Sequence, residues 1–123
     1  MENDVLAACS VSETLKIFTA KWKPCIICHL DHGPKRFGEL HRLIGKISRR
    51  MLTQHLQELL DDDIVYRKSY PVIPPKVEYY LTNKGQSLMP LLESIQNWGM
   101  IHLDDVKSIE ELVSKSHVNL QAS

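Results

Sequence analysis

Ile47-Ser-Arg-Arg-Met-Leu-Thr-Gln-His-Leu-Gln-Glu-Leu-Leu60 carries two patterns at once. Leu52, Leu56, Leu59 and Leu60 recur at the spacing of one face of an α-helix. Arg49, Arg50, Thr53, Gln54 and Gln57 fall on the other faces. Ser48 is a good helix N-cap, because its hydroxyl accepts from an N–H that the first turn leaves unpaired. Ile47 before it reads as an apolar plug. Immediately upstream, the segment from Phe37 to Ile44 shows the same signature, with Phe37, Leu40, Leu43 and Ile44 inward and Glu39, His41 and Arg42 outward. Gly45-Lys46 makes a tight turn between the two. Two short helices joined by a few residues including glycine form a helix-turn-helix unit, expected over about 37–60.

Working outward, the segment from Cys9 to Phe18 places Val11, Leu15 and Phe18 at helical spacing. In Trp22-Lys-Pro-Cys-Ile-Ile-Cys-His-Leu30, Pro24 suits a first helical turn. Ile26, Ile27 and Leu30 supply an apolar face there, and His32-Gly33-Pro34 ends the helix. Past the acidic block Glu58, Asp61, Asp62 and Asp63, the stretch from Ile64 to Tyr70 is rich in β-branched and aromatic residues. The proline-bearing loop 71–75 follows, and then Val77, Tyr79 and Leu81 alternate with Glu78 and Tyr80. This is a hairpin with a stiff tip, expected over about 64–82 with a wing from Tyr70 to Lys76. Thr82 caps a last long helix with Leu88, Leu91, Leu92, Ile95 and Trp98 inward, which Pro90 should kink or divide. Ser108 with Glu111 fits a capping box opening a final short helix, and the residues from about His117 read as frayed. The expected fold is mainly α with a small β-hairpin (α+β), a winged helix-turn-helix forming a single domain over 1–123. Extra helices flank it, the C-terminal ones at about 83–116.

At 123 residues, with 43% hydrophobic and 24% charged residues, the chain has the composition of one soluble globular domain. No window approaches the ~18 consecutive apolar residues of a membrane span. Met1-Glu2-Asn3-Asp4 lacks the basic start and apolar stretch of a secretory signal. The reading is cytoplasmic and without a membrane, and the three cysteines, an odd number, do not suggest a disulfide framework. The formal net charge is zero, yet nine Lys or Arg lie between Lys16 and Arg50 against Asp31 and Glu39 alone. Such a distribution suits a nucleic-acid partner, although a charge run alone is also what a solvated face looks like.

A helix that enters the major groove must present long donors and amides near its N-terminus. Arginine grips guanine O6 and N7 with two bonds, and glutamine does the same for adenine N6 and N7. Arg49, Arg50, Thr53 and Gln54 meet that need, with Ser48 and the helix N-terminus facing a phosphate. Lys35 and Arg36 are expected along the DNA backbone, and Arg67 and Lys76 on the wing against phosphate or the minor groove, with Lys68 undecided between that and keeping the hairpin soluble. Cys25-Ile-Ile-Cys28-His29 matches c-type haem attachment as a bare pattern, and its Cys-x-x-Cys also suggests redox or zinc chemistry. A cytoplasmic redox or metal protein using Cys25, Cys28 and His29 is therefore the second reading. The segment's apolar helical setting favours buried packing instead, where free cysteine behaves as a small hydrophobe. Cys9 stands alone at a helix start, where the macrodipole lowers a thiol pKa; an oxidant sensor and an ordinary packed cysteine both fit. No nucleophile-elbow, P-loop or His-Glu-x-x-His pattern occurs, and the six histidines are scattered. No enzyme, cofactor or metal is expected. A winged helix used only for protein–protein contact is the third reading.

Cys9-Ser-Val-Ser-Glu-Thr-Leu15, Lys21-Trp-Lys-Pro24 and Gly33-Pro-Lys-Arg-Phe-Gly-Glu-Leu40 together resemble the HxlR family of winged-helix regulators. So do the segments Ile47 to Leu56, Val72 to Tyr79 and Leu81-Thr-Asn-Lys-Gly85. The resemblance runs from about Cys9 to Gly99. It implies a homodimer built by the first and last helices, a wing beside each recognition helix, and a palindromic operator on double-stranded DNA. It gives Leu92, Ile95, Trp98 and Ile101, with Met100 and Leu103, a place in a two-fold interface. It also sets Cys9 at the family's N-terminal cysteine, which senses electrophiles or oxidants in several members. Ser10 departs from the usual proline there and Thr19-Ala20 from the usual glycines, while Cys25 and Cys28 fall where relatives carry aliphatic residues. The effector, the operator sequence and the sign of regulation are not legible.

Overall fold

The computed structural model describes residues 9–18, 20–108 and 111. Its elements follow in the order α1 (Ser10–Ile17), α2 (Lys23–Asp31), α3 (Phe37–Ile44), α4 (Arg49–Asp61), β1 (Val65–Tyr70), β2 (Lys76–Leu81), α5 (Asn83–Gln86) and α6 (Met89–His102). The architecture is the expected one, a helix-turn-helix from α3 and α4 with an antiparallel two-stranded hairpin behind it.

The core forms where three helices and the hairpin base meet. Ile26, Ile27 and Leu30 come from α2, Leu40 from α3, and Leu52, Leu56 and Leu59 from α4. Ile47, Ile64, Val65 and Leu81 complete it from the connections and strands. Phe37, Ile44 and Leu60 are partly buried at its rim. At about 25 cal/mol per Å² of apolar surface, each of these fully buried aliphatic chains contributes roughly 1.5–3 kcal/mol. Ile47 is buried between the two helices of the unit, which makes it the plug its position suggested. Gly45 just before it has φ +82°, a left-handed conformation that glycine adopts without a Cβ clash. Ser48 caps α4, its Oγ accepting from Met51 N at 3.0 Å.

In the hairpin the register runs from Val65↔Leu81 to Tyr70↔Lys76. Residue 35 extends it: Lys35 N donates to Tyr79 O at 3.1 Å and Tyr79 N to Lys35 O at 2.8 Å. The chain between α2 and α3 is thereby sewn to the outer edge of β2. The hydroxyls of Tyr70 and Tyr80 lie 2.6 Å apart, and the Tyr66 and Tyr80 rings stack at 4.9 Å, so the stem is braced on one face.

The last helix follows the sequence reading at Pro90 and departs from it at Leu92. It is divided: Thr82 caps the short α5 through Gly85 N, and α6 begins at Met89 with Pro90 in its first turn, where a missing N–H costs nothing. Leu92, expected at a subunit interface, is 5% exposed and belongs to the subunit's own core, because it faces back across α6 toward the three-helix junction. Ser108 is buried and its Oγ accepts from Glu111 N at 3.0 Å, the bond of a helix N-cap. The remainder of the expected final helix, and the frayed end from His117, lie outside the described residues.

Candidate nucleic-acid interface

The cap at Ser48 and the leucine seam together fix which face of α4 looks outward. With Leu52, Leu56 and Leu59 buried, Ser48, Arg49, Arg50, Thr53, Gln54 and Gln57 are all exposed. Their surroundings differ. The Arg49 guanidinium sits 5.9 Å over the Phe37 ring, which in turn stacks on His41, so α3 holds it in place. Thr53 Oγ1 donates back to Arg49 O at 2.8 Å. Arg50 has no hydrogen-bond or ion-pair partner among the described residues, and its five donors remain available to a ligand.

Gln54 is tied into a relay that spacing alone did not reveal. Its Nε2 donates to Glu58 Oε1 at 3.1 Å, and Glu58 Oε2 is ion-paired with Lys23 Nζ. Lys23 is 3% exposed, so this cation is anchored inside α2 and pins Glu58 from below. The hydrogen bond from Lys23, with that from Gln54, holds the Glu58 carboxyl below its ordinary pKa. Buried His55 lies in the same environment. Burial lowers its pKa, the Glu58 carboxylate opposing and Lys23 assisting, and its Nδ1 has no partner among the described residues. Lys23, His55 and Glu58 were missed at the sequence level. A lysine at the start of an otherwise apolar helix was the signal available, since such a cation is buried only with a partner.

Of the basic residues expected to follow the DNA backbone, Arg36 is exposed, its backbone N–H donating to Glu39 Oε1 at 3.1 Å. Lys35 requires correction. It is 8% exposed, its Nζ donates to Gly33 O at 3.0 Å, and burial lowers its pKa, Glu39 partly opposing. The backbone pairing with Tyr79 turns that side chain inward, away from any phosphate. On the wing, Arg67 is exposed, whereas Lys76 lies 3.4 Å from Glu78 Oε1 and over the Tyr70 ring. Lys68 also covers that ring, at 5.1 Å.

The cysteines separate cleanly. Cys9 is the N-cap residue of α1 and half-buried, and the backbone N–H groups of Ser12 and Val11, with the Ser12 hydroxyl, draw its pKa below that of an ordinary thiol. Cys25 is pushed up to about 11 by burial, and Cys28 is buried beside it on α2. A thiol held protonated, as Cys25 is, is the opposite of what a nucleophilic sulfur requires. Among the described residues no group of three His, Cys, Asp or Glu side chains is arranged to hold a metal. No helix among them is long and apolar enough to cross a membrane.

A helix-turn-helix whose second helix is capped, pinned from behind and polar in front, with a hairpin beside it, defines a winged helix-turn-helix transcriptional regulator. The chain belongs to the HxlR-like helix-turn-helix family, whose model matches residues 17–107. It is 46% identical over 97 residues to the HTH-type transcriptional regulator YtcD of Bacillus subtilis, covering 79% of this chain and 77% of that protein. Its fold is similar to the reduced form of the transcriptional regulator YodB from B. subtilis, with a TM-score of 0.73 and 35% identity over 80% of this chain and 98% of that one. It is similar also to the redox regulator HypR in its oxidised form, with a TM-score of 0.71 and 43% identity, over 78% and 99% of the two chains.

Proposed function

We propose that this regulator binds a palindromic operator on double-stranded DNA as a homodimer, acting in the cytoplasm as one domain. Ser48, Arg49, Arg50, Thr53 and Gln54 enter the major groove, and Arg36, Arg67 and Lys76 meet the flanking backbone. The observation that carries this is the outward polar array at the start of α4, set opposite the buried Leu52, Leu56 and Leu59. Exposed Val11 and Leu15 on α1, with Ile95, Trp98, Met100 and Ile101 on α6, supply the two-fold interface. Cys9, with its lowered pKa at the head of α1, is the sensor thiol through which an oxidant or electrophile alters DNA affinity.

Selecting fragments of genomic DNA on the purified protein, with and without an electrophile, tests the whole scheme. The expected product is an inverted repeat whose recovery falls steeply with salt and changes when Cys9 is modified. Recovery of no preferred sequence at low salt would rule the scheme out.

A further inference from the structure

Two glutamines on α4 each hold an acidic side chain one turn further on, and only one of those acids is fastened. Gln57 Nε2 donates to Asp61 Oδ1 at 3.0 Å, with both residues exposed and Asp61 in no ion pair among the described residues. Gln54 Nε2 donates to Glu58 Oε1 at 3.1 Å, and the other oxygen of that carboxylate is taken by the Lys23 ammonium. The Lys23 side chain is 4% exposed and that of Glu58 40%. A buried ammonium holds its counter-ion close, so the chain Lys23–Glu58–Gln54 runs from the interior to the outward side of α4. This chain has a direction. An ionised carboxylate only accepts, and Glu58 stays ionised because its pKa is lowered. Gln54 must therefore turn its amide nitrogen toward Glu58. The amide oxygen, on the other arm of the planar group, faces away and accepts nothing among the described residues.

We propose that Glu58, anchored by Lys23, is a positioning residue that fixes which way round Gln54 presents its amide, so that Gln54 takes adenine and excludes guanine at the base pair it meets. The inference rests on the major-groove reading above and on no particular pose of α4 within the groove. An unfastened glutamine can turn its amide over and serve either purine, accepting from adenine N6 or donating to guanine O6. With the nitrogen committed to Glu58, the outward oxygen needs a donor. Adenine supplies one at N6, and its N7 can take the second hydrogen of Nε2. Guanine offers only O6 and N7 on that edge, and an acceptor facing an acceptor leaves both desolvated and unpaired. Glu58 touches no base in this scheme. It acts through Gln54, and Gln57, whose acid is free to move, carries no such constraint.

The test uses the full chain and the duplex that the parent protein selects from a random pool. Gln54→Ala locates the pair in question, as the one position where base preference disappears. Duplexes differing there alone are then titrated. The parent should bind the adenine duplex about tenfold more tightly than the guanine duplex. Unsubstituted purine in place of that adenine, which removes the 6-amino group alone, should cost the parent as much. Glu58→Gln alone strands the Lys23 ammonium, so the decisive protein is the double variant Lys23→Met with Glu58→Gln, which removes both charges. Its new amide can offer Gln54 either an oxygen or a nitrogen, and the adenine-to-guanine ratio should fall to near unity. Preferences at every other pair, and the salt slope, should stay those of the parent. A double variant that keeps the parent's ratio, or that weakens all pairs alike, overturns the proposal while the major-groove reading stands. So does a parent that prefers guanine at the located pair. Gln54→Ala with every preference intact removes Gln54 from the interface and overturns the proposal with it, and a parent that selects no sequence overturns both readings.

Discussion

Arg50 and Lys35 are both basic and both flank the helix-turn-helix, yet their surroundings give them different work. Arg50 is exposed and unpartnered among the described residues, so Arg50→Ala should leave the melting temperature unchanged. It should remove about 1–3 kcal/mol of specific binding and relax base preference, read by titrating matched and single-base-changed duplexes. Lys35 has its ammonium on Gly33 O, so Lys35→Met should keep the parent's dependence of affinity on salt. A shallower slope would return Lys35 to the phosphates. The cysteines make a second contrast. A thiol with lowered pKa carries more thiolate at neutral pH, so Cys9 should alkylate first with iodoacetamide and Cys25 far more slowly, read by mass spectrometry. The type and spacing of Arg49, Arg50 and Gln54 were legible because a helix period alone decides which way they face. Lys35 was not: its inward turn depends on a backbone pairing with Tyr79, distant in sequence.

At the level of elements, α4 is held by devices that no local pattern announces. Its cap at Ser48 and its leucine seam could be read directly, whereas the Lys23–Glu58 pair joins residues on two helices that only packing brings together. Removing Glu58 leaves the buried Lys23 ammonium uncompensated, whereas removing Lys23 leaves a carboxylate that water can reach. Glu58→Gln should therefore destabilise the fold more than Lys23→Met, by about 1–3 kcal/mol in urea unfolding. Acid acts on the same corner with a definite sign. His55 is held below its ordinary 6.5, so beneath that pH the unfolded chain takes up the proton first and stability declines as pH falls toward the folded value. The contribution of Glu58 persists above its ordinary 4.5 and is lost only as pH falls further, through its lowered folded value. The melting temperature should thus drop in two stages on acidification, and His55→Leu should flatten the first. At α5, a Cβ on Gly85 would lie 2.3 Å from the Ile64 carbonyl oxygen, which already accepts from Thr82. Gly85→Ala should cost about 1–3 kcal/mol by overpacking. The sequence motif marked that glycine without showing what it touches.

For the whole molecule, the unresolved stability problem is an apolar face. α1 buries no residue of its own, and α6 buries Leu92 alone, while Val11, Leu15, Ile95, Trp98, Met100, Ile101, Leu103 and Val106 are exposed. Between the two helices lies an open groove of about 350 Å³ lined by Leu15, Phe18, Ile95, Gly99, Met100 and Leu103. A face of this size on a monomer invites aggregation, and a two-fold partner bringing the same face removes it from water. The helical periodicity of α6 showed which residues share a stripe but could not divide it, because Leu92 and Ile95 differ only in which neighbour each meets. The structure divides it, with Leu92 inside and Ile95, Trp98 and Ile101 outside. Leu92→Ala should therefore lower the stability of each subunit by about 2–5 kcal/mol. Ile101→Glu should leave each subunit folded and separate the pair, since a buried carboxylate facing its own symmetry mate is costly to pair. Sedimentation should show a monomer, and the melting temperature should lose the dependence on protein concentration expected of the parent. Affinity for a two-half-site duplex should fall by about 10²–10⁴, the advantage of tethering two recognition helices, while affinity for a single half-site stays near the parent's. An Ile101→Glu protein that still sedimented as a dimer would place the two-fold elsewhere, and with it the spacing at which the two α4 helices meet successive turns of DNA.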